Sequence, residues 1–415
     1  MFQQASRSRG SKQPRRSGSN CALPTGKPQP LNEPKLNPDL PLNHDCLPDP
    51  SERGETGKPM TQTLTSQAVL EVLQPVQDPE LQKSLVDLNM IRNVKIDEGN
   101  VSFTLVLTTP ACPLREFIVE DCQKAVRTLP GVEEVSIEVT AETPQQKSLP
   151  DRQGIAGVKN ILAISSGKGG VGKSTIAVNV AVSLAQSGAK VGLLDADIYG
   201  PNDPAMLGLG DAQVMVRQGP QGDVLEPAFN HGVKLVSMAF LIDKDQPVVW
   251  RGPMLNGVIR QFLYQVDWGE LDYLIVDMPP GTGDAQLTMA QSVPMAGVVI
   301  VTTPQTVALL DSRKGLKMFQ QLNVPVLGIV ENMSYFIPPD MPDKKYDIFG
   351  SGGGQKTADE LGVPLLGCVP LEIPLREGGD SGVPIAISAP DSPSAKALRE
   401  IANRIAGKVS VVALA

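Results

Sequence analysis

Histidine is almost missing from this chain: His44 and His231 are the only two among 415 residues. That excludes His-rich metal sites and most catalytic triads built on imidazole. Aromatic side chains make up 4%, too few for a platform on which successive bases stack. Five cysteines, Cys21, Cys46, Cys112, Cys122 and Cys368, are too scattered for a disulfide scaffold, and such sparing use suits a reducing compartment. No apolar run reaches eighteen residues; the best stretch, 293–310, is interrupted by Pro294, three threonines and Gln305, so no membrane partner is expected. Positive charge is short as well. The formal net charge is −8, which argues against a broad nucleic-acid surface.

What is present is a long chain, 41% hydrophobic, with material for two or three domains. Residues 1–59 hold ten prolines and almost no periodic apolar pattern, which predicts a disordered tail. Its first twenty residues carry Arg7, Arg9, Lys12, Arg15 and Arg16, several serines and no acid, the composition of an organelle transit peptide. Met60, just ahead of the first ordered pattern, is a competing start. The expected location is the cytoplasm, or an organelle (a plastid) if residues 1–59 are a transit peptide.

Residues 60–143 read as a small α/β domain. Ala68, Val69, Val72 and Leu73 have helical spacing, ended by Asp78-Pro79-Glu80. A hairpin over 90–107 turns at Asp97-Glu98-Gly99-Asn100, and its second strand alternates through Val101, Phe103, Leu105 and Leu107, as a sheet with one covered face requires. A helix through Phe117, Val119, Cys122 and Val126 follows, then a strand over 132–139. Residues 144–157, rich in Gln, Pro and Gly, form the expected linker. From 158 to 415 apolar strands alternate with helices, and runs such as Leu274-Ile275-Val276 imply burial on both faces. The expected class is α/β: a doubly wound, mostly parallel sheet forming a P-loop ATPase domain, behind the small α/β domain and the tail.

The chemistry begins directly after the first strand of that domain. Gly167-Lys168-Gly169-Gly170-Val171-Gly172-Lys173-Ser174-Thr175 satisfies the G-x4-G-K-[ST] pattern. Its glycines let backbone N–H groups surround phosphate oxygens, at a helix N-terminus whose dipole favours anions. Lys173 is expected to neutralise β- and γ-phosphate charge of ATP, and Ser174 to ligate Mg²⁺. Leu194-Asp195-Ala196-Asp197 places two carboxylates at a strand end on the loop's side. Leu274-Ile275-Val276-Asp277 reads as a Walker B strand, with Asp277 on the Mg²⁺ side, and Pro279-Pro280-Gly281-Thr282-Gly283-Asp284 as a Gly-rich switch. Taken alone, Asp195 and Asp197 are equally well read as turn or cap acids.

Lys168 is an extra lysine that projects from the loop. The string 168–174 resembles the deviant Walker A of the SIMIBI ATPases, which include MinD/ParA proteins and the Mrp/ApbC iron–sulfur carriers. The resemblance implies a homodimer in which Lys168 crosses to the partner's phosphates, Asp197 orients the attacking water, and Asn332, beyond a strand end, recognises adenine. Trp250-Arg251-Gly252-Pro253-Met254, residues 279–284, Glu331-Asn332-Met333-Ser334 and 377–382 resemble Mrp/ApbC proteins in particular. Trp250 and Met254 suit ordinary packing equally well. Asp78-Pro79-Glu80 and 108–113 resemble the cluster-assembly domain often fused ahead of such ATPases. By this resemblance the chain is an ATP-hydrolysing carrier that takes a labile cluster, of [4Fe–4S] type, to recipient apoproteins. A MinD/ParA-like positioning ATPase is the alternative.

One departure stands out. Where many relatives carry C-x-x-C, this chain reads Tyr335-Phe336-Ile337-Pro338-Pro339-Asp340-Met341-Pro342. The remaining candidate thiolate is Cys112, in a Pro-flanked loop at a helix start, where a thiolate is favoured; a small buried hydrophobe fits the same position. Cys122 and Cys368 are expected to pack in cores.

Overall fold

The computed structural model describes residues 64–146, 152–198, 200–213, 215–219, 222–241, 252–341 and 343–414. The tail expected over 1–59, the competing start Met60, residues 147–151 of the expected linker and Trp250-Arg251 lie outside them.

The small domain opens with α1 (Ser66–Leu73), capped by Thr65, whose hydroxyl accepts from the Ala68 amide. A tight turn around Pro79 pairs β1 (Gln77–Asp78) with β2 (Lys83–Ser84). The expected hairpin forms from β3 (Ile91–Asp97) and β4 (Asn100–Leu107). Glu98 and Gly99 at its tip both have positive φ, as a two-residue turn matching strand twist demands. Next, α2 (Arg115–Val126) crosses over to β5 (Glu134–Ala141), which runs parallel to β4. Val69, Leu73, Phe103, Leu105, Ile118, Cys122 and Val126 form the core. Ile118, Cys122 and Val126 succeed one another at four-residue steps, so they share the buried face of α2. Phe117 lies one position round the helix and is exposed. The one-sided alternation expected of β4 fails at Thr104 and Val106, which are also buried.

The larger domain begins with β6 (Val158–Ser166), the phosphate loop and α3 (Lys173–Gln186). There follow β7 (Val191–Asp195), the short α4 (Asp203–Met206), and an antiparallel pair not anticipated from sequence, β8 (Met215–Gly219) with β9 (Gly222–Glu226). After β10 (Ala228–Asn230) and β11 (Val233–Ser237), the chain alternates regularly. It runs through α5 (Gly252–Tyr264), β12 (Leu271–Asp277), α6 (Asp284–Ser292), β13 (Gly297–Thr302), α7 (Thr306–Gln321) and β14 (Val326–Phe336). The last part is α8 (Gly353–Leu361), β15 (Leu365–Leu371), α9 (Ile373–Ser381), α10 (Ile385–Ser388) and α11 (Pro393–Leu414).

The sheet order is β10-β11-β7-β12-β6-β13-β14-β15, parallel throughout except for β10. Separate apolar clusters cover its two faces, which explains why its strands read as continuous apolar runs. β6 sits between β12 and β13, so the chain leaves its carboxyl end at the crevice where connections diverge to either side. That crevice receives the phosphate loop.

In α11, Leu398, Ile401 and Ile405 are fully buried, in the same cluster as α3. The small domain touches this scaffold through its 108–111 loop. Ala111 joins the α3–α11 cluster, Tyr273 donates to Thr109 Oγ1 at 3.0 Å, and Ser410 donates to the Thr108 carbonyl at 3.4 Å.

Candidate nucleotide site

The phosphate loop is held from three directions. Gly281 N donates to the Ser166 carbonyl at 3.0 Å, joining the switch after β12 to the end of β6. Ser166 Oγ donates to the Lys168 carbonyl at 3.0 Å, and Asn332 Nδ2 donates to the Val171 carbonyl at 2.9 Å. Close approach fixes two of the glycines. A Cβ on Gly167 would lie 2.2 Å from the Asp311 backbone carbon, and one on Gly172, which has φ +81°, 2.2 Å from Asn332 Nδ2. Gly169 and Gly170 face open space. Gln286 Nε2 donates to the Pro279 carbonyl at 2.5 Å and braces the Gly-rich switch.

Lys173 opens α3 and is buried. Its ammonium lies 2.7 Å from Asp277 Oδ2 and 3.5 Å from Asp197 Oδ2. Burial pulls this amine down, but Asp277, Asp197 and Asp203 together outweigh it and hold the group above the ordinary lysine value. Ser174 donates to the same Asp277 oxygen at 2.6 Å. Lys168 is half-buried and has no carboxylate partner among the described residues. Thr175, at the first turn of α3, lines a cavity of about 440 Å³ with Asn202, Asn332, Met333, Leu371 and Arg376.

Asp195 ends β7 fully buried, accepting from Ser237 Oγ at 2.8 Å and from the Asp197 amide at 3.1 Å. Burial, followed by the Asp277 charge, pushes its carboxyl up to about 8. Asp277 is raised too, chiefly by burial, against the pull of Lys173 and Ser174. Its Oδ1 is buried without a hydrogen-bond partner, and such an orphaned oxygen beside Ser174 fits a divalent cation's ligand set.

The structure therefore brings Lys173, Ser174, Asp195, Asp197 and Asp277 together. It corrects the placement of Asn332, which lies inside β14 rather than beyond a strand end, because that strand continues six residues past Val330. Its Nδ2 is used by the loop and its Oδ1 is buried and unpartnered, while the residue as a whole lines the cavity.

Sequence reasoning missed Asp203, whose backbone amide sits 3.4 Å from Asp195 Oδ2. An acid at a Pro-flanked helix start reads as a cap, and only tertiary structure brings it beside Asp195 and Asp277. Glu331 was missed as well: it is buried on β14 and accepts from Ser334 Oγ and the Gly354 amide.

The cysteines give two corrections. Cys112 stands three residues ahead of α2 and packs partly into the small core; burial, with Glu80 and Asp78 nearby, pushes its thiol up to about 11. The expected favoured thiolate is not what this environment supplies, because desolvation outweighs the backbone N–H of Leu114. Cys368 is not a core residue but half-buried, with its sulfur 3.9 Å from Glu331 Oε1. Cys122 is buried, as expected. Among the described residues, no grouping of three or more metal-ligating side chains includes a cysteine.

Residues 157–406 match the profile of the family described as NUBPL iron-transfer P-loop NTPase, and residues 66–139 that of iron-sulfur cluster assembly protein. The "Iron-sulfur cluster carrier protein" of Synechocystis sp. is 79% identical over 85% of this chain and 99% of its own length. The protein of the same name in Deinococcus radiodurans is 49% identical over 83% of this chain and 95% of its own. "Fe-S cluster assembly factor HCF101, chloroplastic" of Arabidopsis thaliana is 41% identical over 83% of this chain and 64% of its own.

Proposed function

Because the chain belongs to the iron-transfer P-loop NTPase family, with an iron–sulfur cluster assembly domain ahead of its nucleotide-binding one, we propose that it is an ATP-hydrolysing carrier that accepts an iron–sulfur cluster as cargo and passes it to apoproteins. The observation that carries this reading is the likeness to a named cluster carrier at 79% identity, covering 99% of that protein. A positioning ATPase is disfavoured. The apolar stripe of α11, which would have to meet a membrane, is spent in the core, and no helix among the described residues is long and apolar enough to cross one.

In this reading the backbone N–H groups of residues 167–175 surround the ATP phosphates, and Lys173 moves from Asp277 to the β- and γ-oxygens. Ser174 and Asp277 would hold Mg²⁺, which supplies neutralising charge at the phosphates. Asp197 orients the attacking water. Asn332 offers Oδ1, an acceptor suited to the 6-amino group of adenine, and its donor is already committed to Val171. Lys168, half-buried and with no carboxylate to hold it among the described residues, serves the partner's phosphates in a homodimer. The cluster, of [4Fe–4S] type, takes Cys112 as one ligand, and iron itself must displace the thiol proton that burial holds there. The segments 1–59, 60–143, 144–157 and 158–415 act as tail, assembly domain, linker and ATPase. The compartment is the cytoplasm, or the plastid if residues 1–59 direct import.

Anaerobic reconstitution with iron and sulfide, followed by incubation with an apo-[4Fe–4S] enzyme, tests the reading. The chain should bind iron and sulfide and restore the enzyme, faster with ATP. A chain that hydrolyses ATP yet neither takes up nor transfers a cluster would be an ATPase of another kind.

A further inference from the structure

Four carboxylates, Asp195, Asp197, Asp203 and Asp277, are buried around one cation, Lys173. Burying ions costs several kcal/mol each unless charge and hydrogen bonds compensate. Most of the compensation is visible. Asp195 is supplied by Ser237 and two backbone amides, Asp197 by Lys173, and Asp277 Oδ2 by Lys173 and Ser174. Three oxygens are left over: Asp277 Oδ1 and both oxygens of Asp203, a residue with 0% exposure. An aspartate with two unsatisfied oxygens in a dry site needs a cation or a proton.

The spacing favours a cation. Ligand oxygens of Asp195, Asp203 and Asp277, one from each, all lie within 4.8 Å of one another. Oxygens on opposite sides of a hard divalent ion sit about 4.2 Å apart for Mg²⁺ and about 4.8 Å for Ca²⁺. Three hard oxygens, with no nitrogen or sulfur among them, select that class of ion.

We propose that Asp195, Asp203 and Asp277 form a site for a hard divalent cation of the Mg²⁺/Mn²⁺ type that fills before nucleotide arrives, with Asp203 as an added ligand. The proposal rests on the reading of Asp277 as the cation-side carboxylate. It implies ordered binding: the ion is in place when Lys173 turns from Asp277 to the phosphates, and the carboxylate it leaves is not stranded.

The test is Mn²⁺ titration of the full chain without nucleotide, followed by electron paramagnetic resonance and repeated with a non-hydrolysable ATP analogue. One Mn²⁺ per chain should bind without nucleotide and raise the thermal midpoint relative to EDTA. Asp203→Asn should weaken that binding at least tenfold. Asp203→Ser guards against a variant that fails to fold. If Mn²⁺ binds only with the analogue present, the ordered site is wrong and the role of Asp277 stands. If it binds equally well to both Asp203 variants, Asp203 is no ligand. No binding even with the analogue would remove both readings.

Discussion

Lys173 Nζ lies 2.7 Å from Asp277 Oδ2, so the ammonium that opens α3 and the carboxylate that ends β12 neutralise each other. The same oxygen accepts from Ser174. In the proposed reading, binding ATP is an exchange of partners within this preassembled cluster.

Lys173→Ala removes that cation and leaves buried acids behind. ATP binding should be lost, and stability should fall by about 3–5 kcal/mol, the range for stripping one partner from a buried pair. Lys168→Ala breaks no ion pair among the described residues, so it should keep ATP affinity within about threefold while hydrolysis and ATP-dependent dimerisation fall. Calorimetric titration alongside thermal unfolding separates the two. Equal loss of binding in both variants would remove the cross-dimer role.

Gly167→Ala should lower stability by about 1–3 kcal/mol, the usual cost of overpacking. The new methyl meets the backbone of Asp311, which cannot swing aside as a flexible side chain would. Since Gly167 opens the phosphate loop, ATP affinity should drop with stability, as denaturant melts with and without ATP will reveal.

Asn332→Ala frees the Val171 carbonyl and deletes a buried, unpartnered acceptor of a cavity-lining residue. A loss of about 1–2 kcal/mol in ATP binding is expected from one hydrogen bond plus an unsatisfied buried group. GTP binding should change less, because its 6-oxo group gains nothing from an acceptor. Competition of both nucleotides for the variant decides this; equal losses would assign Asn332 to bracing the loop alone.

Cys112 should alkylate slowly. With its thiol near 11, the thiolate fraction at pH 8 is on the order of one in a thousand, and the rate should climb about tenfold per pH unit up to that value. The raised value also makes this thiol a small stabilising influence below about pH 9, lost as pH rises towards 11. After reconstitution, Cys112→Ser should lose most of the iron and Cys368→Ser should keep it. A rate at pH 8 matching an unhindered thiol would show the loop open in solution.

The loop 167–175, the paired acids after β7 and the Walker B strand were legible because each depends on neighbours in sequence. Glycine is needed where the backbone curls round an anion, a lysine must follow at a set distance, and a strand must precede. The small domain's hairpin was legible too, since alternation and its turn are local. Other features were decided by tertiary structure. Asp203 joins Asp195 and Asp277 only because the chain doubles back after β7. Asn332 became part of a strand because pairing with β15 carries β14 beyond its apolar run, placing its amide under Val171. Cys112 lost its expected thiolate character to burial beside Asp78 and Glu80. Local pattern sets which backbone forms and which groups are on offer. Burial, and the charges that distant segments bring to the same few ångströms, set what those groups are able to do.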